Sequence, residues 1–119
     1  MEFNRNGIRF EYPENWTIEE DSSPDGVFSI TASAPDGAFW SLSRQPTEVD
    51  FEQLTHATTE QLREEYPDLE AYPASDEIFS SSLSGADFNF SYLDLTNTAE
   101  VRCLATATAC YVFFCQAED

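Results

Sequence analysis

The sequence predicts an α+β fold: a single domain over residues 1–119, with an antiparallel sheet of about six to seven strands and one main helix packed on one face. Three observations carry this. Short runs of alternating apolar and polar residues recur along the chain, the period of half-buried strands. One stretch, residues 50–66, has helical spacing and helix-boundary chemistry. The apolar supply is rich in rings, with ten Phe, five Tyr and two Trp, which suit a pleated surface.

The first strand reads from Gly7 to Tyr12, with Ile8, Phe10 and Tyr12 alternating against Arg9 and Glu11. Pro13-Glu14-Asn15 turns the chain, and Trp16 to Glu19 continues as a short strand. Asp21 to Gly26 is a loop by its turn chemistry. Val27 to Ala32 forms a strand, Pro35-Asp36-Gly37 a hairpin turn, and Ala38 to Arg44 the return strand.

The helix begins at Asp50, a capping residue, with Gln53 three residues on and Val49 and Leu54 placed as a hydrophobic staple. Phe51, Leu54, Thr58 and Leu62 share one face, while Glu60 and Glu64 fall away from it. Pro67 stops the helix near Tyr66.

The rest reads as strand and turn. Leu69 to Tyr72 is a short edge strand, Glu77 to Leu83 and Ala86 to Leu95 flank a turn at Ser84-Gly85, and Thr96-Asn97-Thr98 turns again. Glu100 to Thr108 and Cys110 to Gln116 form the last pair. That pair is apolar on both faces. Val112 and Phe114 point one way, Tyr111, Phe113 and Cys115 the other, and Leu104 opposes Val101 and Cys103. Strands apolar on both faces are covered on both faces. One helix covers one face, so the second cover must be another segment, another helix or another copy of the chain.

The segment Gly7-Ile-Arg-Phe-Glu-Tyr-Pro-Glu-Asn-Trp16 resembles the Gly-x-x-φ-x-φ-Pro-x-x-Trp opening (φ apolar) of the PsbP-like superfamily. That superfamily includes the extrinsic photosystem II subunit, the yeast nuclear-import factor that binds the GTPase Ran, and bacterial members of unknown function. The order of hairpins, helix and final antiparallel strands is similar too. The resemblance implies a non-catalytic binding or assembly module. It also implies a helix after the final strand, which this sequence lacks, ending at Asp119. A homodimer is therefore expected, with Val101, Cys103, Tyr111, Phe113 and Cys115 as its candidate interface.

Charge narrows the partners. Twenty-three acids face five bases, all arginine, for a net charge of -18. That field repels phosphate backbones and anionic lipid surfaces, which excludes nucleic acid and membrane as partners and leaves basic proteins or cations. Its plainest role is solvation, or adaptation to a saline interior. No window approaches a transmembrane span and the N-terminus has no apolar signal region, so a cytoplasmic protein is expected. The odd cysteine count, three, agrees with unpaired thiols. Asn15 and Asn89 match glycosylation acceptors only by chance on this reading.

No chemistry-bearing motif stands out. His56, with Glu52 and Glu60 four residues to either side, could be a base oriented by a carboxylate, but its spacing points it outward. Cys110 and Cys115 fall on opposite faces of one strand, so they share no zinc and read as packing residues. Glu19, Glu20, Asp21 and Asp25 supply hard oxygens without calcium-loop spacing. Trp40 reads as core and Trp16 as a plug at the sheet end, with ligand stacking as the alternative. No cofactor and no catalytic or metal residue is expected. The other readings are a small-ligand protein or enzyme using a helix–sheet pocket, and a chaperone-like binder of apolar segments.

Overall fold

A computed structural model describes residues 1–5, 8–24, 26–45, 50–78, 81–105 and 109–118. The alternation around Ile8 and Phe10 does make a strand, β2 (Ile8–Glu11), but it pairs with an unexpected one, β1 (Glu2–Arg5). Only Phe3 marks β1 as apolar in the sequence, and pairing with β2 places Phe3 opposite Phe10. This hairpin is a two-stranded sheet of its own.

Seven further strands form the main sheet: β3 (Thr17–Ser22), β4 (Phe28–Ser33), β5 (Phe39–Gln45), β6 (Glu70–Ile78), β7 (Ser81–Tyr92), β8 (Leu95–Ala105) and β9 (Cys110–Glu118). Their spatial order is β3-β4-β5-β9-β8-β7-β6, antiparallel throughout. The edges are blunted against further pairing. β3 carries Glu19, Glu20 and Asp21, all exposed, and β6 carries Pro73, which lacks an N–H.

The helix α1 (Phe51–Glu65) starts where its chemistry places it. Asp50 accepts a hydrogen bond from the Gln53 amide at 3.1 Å, and the Tyr66 amide closes the end on the Leu62 carbonyl at 2.7 Å. Val49, the expected staple residue, lies outside the described residues. The Pro35–Gly37 turn also forms: Gly37 takes φ 96, and Ala34 and Ala38 bond across it at 2.8 Å. No helix among the described residues is long and apolar enough to cross a membrane.

Two expected turns are corrected. Ser84 and Gly85 lie inside β7, and Thr96 to Thr98 lie inside β8. The turn that joins β7 to β8 is Leu93-Asp94, both at positive φ (52 and 64). Glycine at 85 answers a close approach instead of a turn: a Cβ there would stand 1.9 Å from the Val101 carbonyl oxygen.

The packing explains the two-faced final strand. Register places Ala86, Phe88 and Phe90 of β7, Ala99, Val101 and Cys103 of β8, and Val112 and Phe114 of β9 on one face. Leu54 and Leu62 of α1, with Tyr66 and Leu69, cover that core. At the other end of the sheet the buried face switches. Phe28 and Ile30 of β4, with Ile18 and Leu42, point to the opposite side and lie under Phe3, Ile8, Phe10 and Tyr12 of the N-terminal hairpin. The uncovered quadrants are polar: Ser29, Thr31, Ser33, Ser41 and Ser43 on the helix side, Asp87, Asn89, Glu100 and Arg102 on the hairpin side. β9 stands at the switch, so both of its faces are apolar. Each large side chain buried in these cores contributes about 1.5–3 kcal/mol. The missing second cover is thus supplied, over β3–β5, by the chain's own N-terminal hairpin.

Candidate functional site

One place on the hairpin side is both apolar and open. The Ala34–Ala38 pair, and the register of Phe39 with Gln116, align Ala34, Ala38 and Ala117 in one cross-strand row. Their small side chains leave a trough. Trp16, in the bend just before β3, lines the trough as well. The next row runs Trp40, Cys115 and Glu100, each directly opposite the next. The resulting groove holds about 330 Å³ and is lined by Trp16, Ala38, Trp40, Glu100, Cys115 and Ala117 together with Phe39, Thr98, Phe113 and Gln116; Ala34 continues the alanine row beyond it.

The walls are fixed by packing. Trp40 stacks on Phe113 with centroids 5.9 Å apart and meets Phe10 in a T-shaped contact at 4.7 Å. Beside them Arg102 Nη2 reaches Asp87 Oδ1 at 2.6 Å, while Nη1 donates to the Ala86 and Val101 carbonyls at 3.1 and 2.9 Å. The Cys115 thiol donates to Glu100 Oε2 at 3.9 Å, a long contact. Burial first, and then the charge of Glu100, push the Cys115 thiol above its ordinary range.

The structure separates the five candidate interface residues. Val101 and Cys103 are buried beneath α1, at 1% and 0% exposure. Tyr111, Phe113 and Cys115 share the hairpin-side face, half-exposed. Both groups are apolar, and the β8–β9 register is what assigns them to opposite faces. Cys110 is buried on the helix side, so Cys110 and Cys115 do point apart.

The remaining candidates do not converge. His56 is exposed on α1, and Glu60 beside it is bonded to Arg63 at 2.9 Å. Glu19, Glu20 and Asp21 belong to β3 and alternate across its faces, while Asp25 lies outside the described residues. Among the described residues no three His, Cys, Asp or Glu side chains could share a metal ion. A helix–sheet groove of about 340 Å³ does exist beside Leu62, Val112 and Phe114, with Glu65 as its titratable lining residue among those described. Sequence reading named Trp16, Trp40, Phe113 and Cys115 separately and missed the trough. The alanines that create it carry a signal only once strand register is known.

No family profile matches the chain, and no curated protein matches it. A solved structure of a Pseudomonas aeruginosa protein of unknown function, suggested to be a regulator, is similar to it with a TM-score of 0.48 and 13% identity. The similarity covers 98% of this chain and 81% of that one.

Proposed function

We propose that the chain is a non-enzymatic protein-binding or assembly module of the cytoplasm, PsbP-like in architecture, and that it binds a basic protein partner at the alanine-floored trough. The carrying observation is the trough itself. It is an apolar groove with aromatic walls and one acid, Glu100, in its lining, on a molecule of net charge -18. Aromatic anchors with a charged rim are the composition of protein-binding surfaces. The Gly7–Trp16 resemblance supports the same class of behaviour, and Trp16 of that motif is part of the trough wall.

Site-specific photocrosslinking in the source cell tests this. A benzoylphenylalanine at position 117, on the trough floor, should capture a defined protein that the same group at position 64, on the outer face of α1, does not. The captured protein, once purified, should bind the wild-type chain and bind Phe113→Asp more weakly. Identical capture from both positions, or none from 117, would sink the proposal.

A further inference from the structure

We infer that the trough receives a cationic side chain, arginine or lysine, from an extended basic segment of the partner. This rests on the protein-binding reading and names the chemistry that the site selects. Trp16, Trp40 and Phe113 line the groove with rings, and aromatic faces attract cations through their quadrupoles. Glu100 lines the same groove, half-buried, and supplies a counter-charge.

The neighbouring charges leave that carboxylate for a ligand. Arg102 is the adjacent base, and its guanidinium is bonded to Asp87 and to two backbone carbonyls. Within the described residues the Glu100 carboxylate meets the thiol of Cys115 at 3.9 Å. That thiol stays uncharged at neutral pH, so it adds no second negative charge. A carboxylate beside apolar walls is stabilised by an incoming cation more than an exposed one would be, because water screens it less.

The size of the groove fits a side chain. The small side chains of Ala38 and Ala117 give it depth, while the Phe10–Trp40–Phe113 ring contacts hold one wall in place. Binding therefore orders few groups on this side of the contact, which favours affinity. The remaining surface acids add long-range attraction for a basic segment and no attraction for an acidic one.

The two tryptophans of the chain both line the groove, so intrinsic fluorescence reads it directly. Two heptapeptides, glycine- and serine-ended and differing only in a central arginine or norleucine between leucines, are titrated at about 0.15 M salt, where exposed charges are screened beyond about 8 Å. The arginine peptide should bind about tenfold more tightly, the scale of a partly desolvated cation–π contact. Glu100→Gln should narrow that difference to about threefold, the part the rings supply without the counter-charge, and Glu64→Gln, an exposed acid on α1, should leave it unchanged. Circular dichroism confirms that both variants fold. Equal or tighter binding of the norleucine peptide overturns the cationic occupant and leaves the protein-binding reading standing. Tetramethylammonium chloride binding as tightly as the arginine peptide overturns a protein source in favour of a small organic cation. If neither peptide perturbs the tryptophans, both readings are overturned.

Discussion

The ring of Phe10 meets the indole of Trp40 edge-on, with centroids 4.7 Å apart and planes at 77°. This contact joins the separate N-terminal hairpin to the seven-stranded sheet. Phe3 stacks on Phe10 from the hairpin at 4.9 Å, and Phe113 stacks on Trp40 from β9 at 5.9 Å. Four rings thus run from β1 to the middle of the main sheet.

Truncating Phe10 should loosen that cover. Phe10→Ala removes a half-buried ring, so the loss is expected at about 2–3 kcal/mol, below that of a fully buried phenylalanine. Urea unfolding measures it, and native tryptophan emission should shift to the red as Trp40 gains water. An unchanged emission maximum would mean that the hairpin does not shield Trp40.

Gly85 has no room for a side chain. A Cβ there would meet the Val101 carbonyl oxygen at 1.9 Å and its carbon at 2.8 Å, both of them backbone atoms of the neighbouring strand. Gly85→Ala must therefore displace β8 from β7. We expect destabilisation of about 2–3 kcal/mol by the urea midpoint, within the range for overpacked interiors. A neutral result would show that the two strands separate at this point without cost.

The Arg102–Asp87 pair joins β8 to β7 on the hairpin-side face, with side-chain exposures of 11% and 40%. Its bond is charge-assisted, and Arg102 is the more deeply placed partner. Asp87→Ala takes the carboxylate away from that guanidinium and should cost about 1–2 kcal/mol. Added salt should alter the cost little, because the arginine is screened by protein more than by water. A cost that vanishes in high salt would class the pair as an ordinary surface bridge.

The sequence and the structure agree where local chemistry decides. Asp50, Gln53 and Pro67 bound the helix unaided, and Pro35-Asp36-Gly37 makes its hairpin. They differ where a neighbour decides. Gly85 reads as a turn in isolation, yet its role is set by the carbonyl of Val101, sixteen residues away. Phe3 alone could not announce β1, since its apolar partners lie on β2 and β4. The trough was illegible for the same reason: Ala34, Ala38 and Ala117 become one row only through pairing. Apolarity on both faces of β9 was legible, and so was the need for two covers. That the cover would come from the start of the chain was not.

The Leu93-Asp94 turn is strained in a correctable way. Both residues have positive φ, at 52 and 64, the region type I′ hairpin turns use and Asn-Gly prefers. A leucine there costs about 1 kcal/mol in backbone sterics. Leu93 is 77% exposed, so its loss removes little burial. The double variant Leu93→Asn with Asp94→Gly should gain about 1–2 kcal/mol and raise Tm. No gain, or a loss, would show that the exposed leucine contributes contacts that outweigh the strain.

Two thiols with raised pKa should make stability fall at alkaline pH. Burial pushes Cys103 above the ordinary thiol value of 9.0, opposed in part by a hydrogen bond from Thr55, and burial with Glu100 raises Cys115 likewise. In the unfolded chain both return to the ordinary value. Below that value the thiols are protonated in both states, and the stabilisation is fully present. As pH rises, the unfolded chain loses its protons first, so stability falls and the contribution is gone once the folded thiols ionise. Urea midpoints measured under reducing conditions from about pH 7 to about pH 10.5 should therefore decline above about pH 9. The comparison that isolates the thiols is with Cys103→Ala and Cys115→Ala. Each variant is less stable at neutral pH, but its decline should be shallower than that of the wild type. Iodoacetamide should also modify Cys115 faster than Cys103, which has no exposed surface. Parallel declines in all three proteins would remove the thiols from the account of alkaline unfolding.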